Sequence, residues 1–124
     1  MYSDIVQDHF DHPRNVGVME DADAEAFVSN PACGDTMHLY LRIDDNRIVA
    51  ATFKTMGCPA AIAASSITTE MLIGRTVEES LMLTRQEVSE ALGGLSPQKV
   101  HCSVLSEDAI KAAVQDYRNK QQPA

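Results

Sequence analysis

Hydrophobic and polar residues alternate strictly from Met37 to Ile43, which predicts a half-buried β-strand. The residues from Asp44 to Asn46 suit a turn, and Arg47 to Met56 supplies the returning strand of a hairpin. Phe27 and Val28 indicate a further short strand upstream. The first half of the chain therefore predicts an antiparallel meander of about three strands.

Helical signals follow the strands. An Ala-rich stretch has proline in its first turn and glycine after its last, and two Thr-x-x-Glu capping boxes each begin a short helix. The predicted helices run from Ser3 to His12, from Pro59 to Ile73, from Thr76, from Thr84, and from Ser96 to about Tyr117.

Strands first and helices later is typical of an α+β domain. We expect a three-stranded antiparallel sheet with helices packed on one face. No linker, repeat or low-complexity tract divides the sequence, so residues 1–124 are expected to form one domain.

The charge balance excludes two classes of partner. Ten Lys and Arg against 18 Asp and Glu give a formal net charge of -8, which argues against nucleic acid and against an anionic membrane surface. Nothing in the sequence approaches an 18-residue apolar span, and the first residues are acidic where a signal peptide is basic. We expect a cytoplasmic protein, or a mitochondrial matrix protein if it is a processed eukaryotic form.

The three cysteines are too few for a disulfide framework and suit a reducing compartment. Each lies at a predicted element boundary: Cys33 before the alternating strand, Cys58 before the Ala-rich helix, and Cys102 near the start of the last helix. As the predicted N-cap, Cys58 would face the positive end of a helix dipole, which favours the nucleophilic, metal-binding thiolate. Asp35 and His101 lie beside two of these cysteines and could add a harder ligand, a mixed set that suits iron or zinc.

Plainer interpretations stay open at this point. A cysteine is often a small buried hydrophobe, Asp35 also suits a turn after Gly34, and His101 could cap or pack. A Cys–His hydrolase is disfavoured, because adjacent residues such as His101 and Cys102 diverge by about 100° on a helix. The remaining histidines are expected to be structural: His9, His12 and His38.

Three motifs, in order, resemble the IscU/NifU-type iron–sulfur cluster assembly scaffolds, and the likeness spans nearly the whole chain. They are Pro31-Ala32-Cys33-Gly34-Asp35, then Gly57-Cys58 with Ala60-Ala61-Ile62-Ala63-Ala64-Ser65-Ser66, and Lys99-Val100-His101-Cys102-Ser103 with the Glu107-Asp108-Ala109 run. The opening Tyr2-Ser3 and the segment His12-Pro13-Arg14-Asn15-Val16-Gly17 resemble the N-terminal signature of that family.

The resemblance implies a role for each site residue. Cys33, Cys58 and Cys102 would be ligands of a [2Fe-2S] cluster, with Asp35 and His101 as labile fourth ligands. Cys102 would accept persulfide sulfur, and Asp35 would promote cluster release. The implied partners are a cysteine desulfurase, an iron donor of frataxin type, a ferredoxin, Hsp70/J-type chaperones and apo-protein clients. The resemblance also implies that the cluster-free form can bind zinc.

Two departures from the family pattern bear on function. Pro59 stands where the family commonly has glycine, and it removes a backbone N–H that could bond a cluster sulfur. The chaperone motif Leu-Pro-Pro-Val-Lys appears as Leu95-Ser96-Pro97-Gln98-Lys99. The alternative function is a zinc-stabilised persulfide acceptor of the SufU type.

Proteins of the SufU type carry an insertion before the third cysteine. The interval from Cys58 to Cys102 leaves no room for that insertion, which disfavours the alternative.

Overall fold

A computed structural model describes residues 3–30, 34–94 and 101–121, with the side chains at 101–103 and 121 outside the description. The elements follow in the order α1 (Asp4–Asp11), β1 (Ala24–Asn30), β2 (Asp35–Asp44), β3 (Arg47–Met56), α2 (Pro59–Leu72), α3 (Val77–Ser80), α4 (Arg85–Ala91) and α5 (His101–Gln121). None of the described helices is both long enough and apolar enough to cross a membrane.

The three strands form one antiparallel sheet in the order β1-β2-β3. The β2–β3 hairpin turns through Asp45 and Asn46, whose φ angles of 52° and 64° suit the tight turns that join twisted strands. A one-residue bulge lies in β3, because Ile43 pairs with Ile48 while Arg42 pairs with Ala50. The bulge shifts the register of every later β3 residue, and so decides which of them face the helices.

The helices cover one face of this sheet, as predicted. On the covered face Met37, Leu39 and Leu41 of β2 and Phe53 of β3 are buried, each burial contributing about 1.5–3 kcal/mol. Helix α5 packs on β1 and β2, α2 packs on β3, and α1 packs on α2. The opposite face carries exposed residues such as Phe27.

Most element ends agree with the local signals. Ser3 caps α1 by accepting a hydrogen bond from the Val6 N–H, and both predicted capping boxes, which begin at Thr76 and Thr84, are present. Each such cap contributes on the order of 1 kcal/mol. The predicted helix from Pro59 is α2, which ends at Leu72.

Two elements are longer than predicted. Strand β1 begins at Ala24, because the small residues Ala24 and Ala26 fill its buried face. Helix α5 continues beyond the predicted end at Tyr117, and its basic last turn complements the negative end of the helix dipole. The predicted helix start at Ser96 lies outside the described residues.

Candidate metal and sulfur site

Asp35 is the first residue of β2 and pairs with Asn30 at the end of β1. Its side chain is buried, with 6% of the residue exposed, and Oδ2 has no hydrogen-bond partner within the described structure. An unpaired buried polar group costs about 1–3 kcal/mol, and more when it is charged. A buried carboxylate oxygen of this kind is suited to a cation or a donor, and so fits the predicted ligand role.

Cys58 is the N-cap of α2, as predicted. Its backbone is extended (φ -72°, ψ 167°), its carbonyl accepts hydrogen bonds from the N–H groups of Ala61 and Ile62, and Pro59 occupies the first turn. The thiol does not accept a capping hydrogen bond from the α2 backbone, and the residue is half-buried. Cys58 therefore lies at the positive end of a 14-residue helix.

The hairpin register brings these two residues together. Thr36 pairs with Met56, so the next step along the ladder places Asp35 opposite Gly57, the residue before Cys58. A Cβ built on Gly57 would lie 2.7 Å from the Cγ of Asp35, which measures how close the carboxyl group comes to that backbone. Asp35 and Cys58 thus share one end of the sheet.

Described residues next to the other candidates border the same end of the sheet. Asn30 and Gly34, on either side of the sequence Pro31-Ala32-Cys33, are joined by a 2.7 Å hydrogen bond from the Gly34 N–H to the Asn30 carbonyl. A cavity of about 140 Å³ is lined by residues from the end of β1 and the first turns of α5: Ser29, Asn30, Val104, Leu105 and Asp108. The start of α5 therefore lies beside the strand end that precedes Cys33.

The structure describes only part of the predicted ligand set. His101 and Cys102 are the first two residues of α5, but their side chains, like Cys33, Tyr2 and the segment Leu95–Lys99, lie outside the described part. Among the side chains that are described, no three His, Cys, Asp or Glu could hold a metal ion together. Asp35 and Cys58 are the two predicted ligands that can be placed, and the Asp35 carboxyl group lies against Gly57, the residue before Cys58.

Sequence reasoning gave no structural role to the segment after α1. The Asn15 side-chain amide donates to Thr69 Oγ1 of α2 (3.0 Å). The Asn15 carbonyl accepts from the Phe53 N–H of β3 (3.0 Å), and the Gly17 N–H donates to the Phe53 carbonyl (2.9 Å). This segment therefore fastens α1 to both elements that flank Cys58. The φ of Asn15 is 61°, a conformation that asparagine tolerates better than most residues do.

The family model for the "NifU-like N terminal domain" matches residues 1–124. The chain belongs to this family. The predicted resemblance is thereby confirmed, and the fold expected from it is the one observed.

Named relatives of this NifU-like domain include two at high identity. It is 57% identical over 120 residues to the "Iron-sulfur cluster assembly scaffold protein IscU 1" of Archaeoglobus fulgidus, covering 97% of this chain and 78% of that protein. It is 49% identical over 123 residues to the IscU scaffold protein of Azotobacter vinelandii, covering 96% and 95% of the two chains.

A solved structure shares the fold. The putative SUF-system scaffold protein of Fervidobacterium islandicum AW-1 superposes with a TM-score of 0.76 at 24% identity, covering 91% of this chain and 96% of that one. At that identity the likeness supports the fold alone.

Proposed function

We propose that this NifU-like domain is a scaffold on which an iron–sulfur cluster is assembled and from which the cluster passes to apo-proteins. The observation that carries the proposal is the buried Asp35 carboxylate, whose Oδ2 lacks a partner in the described structure, beside the helix N-terminus that bears Cys58. The relatives named as iron–sulfur cluster assembly scaffolds support it.

The proposed ligands of a [2Fe-2S] cargo are the thiolates of Cys33, Cys58 and Cys102, with Asp35 or His101 in the fourth position. Iron–sulfur clusters ordinarily take four thiolates. A carboxylate or imidazole in the fourth position is a harder donor and holds the soft cluster less firmly, which suits a carrier that must release what it builds. Asp35 is the proposed release group, because its carboxyl group lies against Gly57, the residue that precedes Cys58.

Cys102 is the proposed sulfur acceptor. Its thiolate attacks the outer sulfur of a persulfide on a cysteine desulfurase, the sulfur–sulfur bond of the donor breaks, and the donor cysteine leaves as its thiolate. The transferred sulfur becomes sulfide when it gains two electrons, for which a ferredoxin is the proposed source.

A frataxin-type protein is the proposed iron donor, and Leu95–Lys99 is the proposed binding segment for Hsp70/J-type chaperones. A cytoplasmic or matrix location is part of the same proposal.

Anaerobic reconstitution tests this function. The protein is incubated with a cysteine desulfurase, cysteine, ferrous iron and a reductant, visible absorption and circular dichroism are recorded, and an apo-ferredoxin is then added. We expect the bands of a [2Fe-2S] centre on the wild type and their transfer to the ferredoxin. Cys58→Ser should lose the bands, whereas His12→Ala, which changes an exposed histidine, should keep them.

The same experiment separates the proposal from its rival. A zinc-stabilised sulfur acceptor would gain persulfide but remain colourless and retain zinc. A protein that gains neither persulfide nor cluster would contradict both functions.

A further inference from the structure

Gly57 lacks a side chain for a different reason from the other glycines of this chain. The other five have φ between 75° and 150°, a range that side-chain-bearing residues rarely adopt. Gly57 has no such angle, so a left-handed backbone is not the reason for glycine at this position. What excludes a side chain is space. A Cβ there would lie 2.7 Å from both Cγ and Oδ1 of Asp35 and 3.1 Å from the Cβ of Ala61.

The close approach is a product of the β3 bulge. Between the pairs Ile43–Ile48 and Arg42–Ala50, one residue of β3 has no counterpart in β2. Without that extra residue the ladder would place Met56 opposite Asp35. With it, the carboxyl group instead faces Gly57, which has no side chain.

The Asp35 side chain has little room to yield. It is buried, and strand pairing fixes the backbone on both sides. Asp35 itself pairs with Asn30 of β1, and the next residue, Thr36, pairs with Met56 of β3. A methyl group at position 57 would therefore have to displace the carboxyl group itself. The neighbouring methyl of Ala61, on the first turn of α2, closes the other side of the space.

We propose that Gly57 is a positioning residue for Asp35. Its missing side chain leaves the space that holds the carboxylate beside Cys58, within reach of a metal bound there. The inference rests on the proposed function for the carboxylate's role in release, but the contact itself is a property of the metal-free chain. Adding a methyl at position 57 should then imitate the loss of the carboxylate at position 35.

The test is a double-mutant cycle on the reconstituted full chain. The half-life of the cluster during transfer to apo-ferredoxin is measured for wild type, Gly57→Ala, Asp35→Ala and the double variant. We expect Gly57→Ala to change the half-life in the same direction as Asp35→Ala. In the Asp35→Ala background, where Cγ and Oδ1 are gone and only the 3.1 Å approach to the Cβ of Ala61 remains, the added methyl should have little further effect. Thermal unfolding of the four metal-free proteins monitors the fold.

A readout without any cluster makes the contact testable by itself. In the metal-free wild type, nuclear Overhauser effects should join the Hα atoms of Gly57 to the Hβ atoms of Asp35, and the Asp35 carboxyl carbon shift should change in Gly57→Ala. If these signals appear but the wild type forms no cluster, the proposed function fails while the contact stands. A wild-type half-life in Gly57→Ala, or effects of the two substitutions that add, would overturn the inference.

Discussion

The Nδ1 atom of His9 on α1 lies 2.8 Å from the hydroxyl oxygen of Ser66 on α2, and both side chains are buried. The same hydroxyl accepts a 2.9 Å hydrogen bond from the Arg14 N–H. Its own proton is then available for Nδ1, an arrangement that suits a neutral ring protonated on Nε2, which faces Glu70 Oε1 at 3.6 Å. A structural histidine, as predicted at position 9, thus joins the N-terminal helix α1 to α2, the helix whose N-cap is Cys58.

This contact predicts a loss of stability on mild acidification. Burial lowers the pKa of His9 below its ordinary 6.5, with the charge of Arg14 acting in the same direction. Below about pH 6.5 the unfolded chain therefore binds a proton at His9 more readily than the folded chain does. The free energy of unfolding is greatest above about pH 6.5 and decreases as the pH falls below that value. The slope from this one group reaches at most about 1.4 kcal/mol per pH unit.

Urea unfolding between pH 5.5 and 7.5 checks this expectation. His9→Gln should flatten the dependence, and His12→Gln, which changes an exposed histidine one turn away, should leave it as in the wild type. Equal slopes for the wild type and His9→Gln would show that the ring does not resist protonation in the folded protein.

A second pH dependence arises where α4 meets α5. Glu107 accepts hydrogen bonds from the N–H (2.8 Å) and Nε (3.1 Å) of Arg85 and from Nζ of Lys111 (3.2 Å), and these lower the pKa of Glu107 to about 2. Because the folded pKa is depressed, the stabilisation is present above about pH 4.5 and is lost as the pH falls towards 2.

Glu107→Gln should therefore cost about 1–2 kcal/mol at pH 7, and the difference from wild type should shrink on acidification. Denaturant unfolding at pH 7 and at about pH 3, well inside the range between the two pKa values, measures both quantities. Glu90→Gln, at an exposed position on α4, is the matched control and should stay close to the wild type. A deficit for Glu107→Gln that persists unchanged at low pH would count against the carboxylate as its source.

Most helices and strands could be predicted from local signals in the sequence. The strict alternation in β2, the proline and glycine around α2 and the two capping boxes are set by neighbouring residues, and each appears in the structure as predicted. The length of β1 was underestimated, because Ala24 and Ala26 are weak strand formers whose burial is decided by α5 packing on the sheet.

The candidate site could be predicted only in part from the sequence. The N-cap position of Cys58 follows from Pro59, a local signal. The contact between Asp35 and Gly57 does not, since counting back from the hairpin turn gives the wrong partner unless the bulge is known. The attachment of Asn15 to α2 and β3 joins residues far apart in the chain, which local patterns cannot indicate.

Asp35 is predicted to speed cluster release. Asp35→Ala should lengthen the lifetime of a bound cluster and slow its donation, on the order of tenfold if the carboxylate contributes about 1.4 kcal/mol to the barrier for release. Transfer to apo-ferredoxin, followed by circular dichroism, measures the rate. Asp35→Asn keeps the shape of the side chain and removes its charge, so it separates the effect of shape from the effect of charge. A wild-type transfer rate in Asp35→Ala would show that Asp35 has no role in cluster release.

Pro59 is predicted to shorten cluster lifetime without abolishing assembly. As the first residue of α2 it offers no N–H next to Cys58. Pro59→Ala and Pro59→Gly both restore that donor, and only the second also loosens the backbone. We expect Pro59→Ala to hold the cluster longer, with Pro59→Gly between it and the wild type. Unchanged decay of visible absorption in both variants would mean that the missing donor has no influence.

The proposed scaffold function requires, above all, that the protein hold iron and sulfide together at its cysteines. After anaerobic loading and re-isolation, iron, acid-labile sulfide and zinc are measured on the wild type and on Cys58→Ser. We predict iron and sulfide in a one-to-one ratio on the wild type, with both lost from the variant. Zinc without sulfide on the loaded wild type, or undiminished iron and sulfide on Cys58→Ser, would contradict the account.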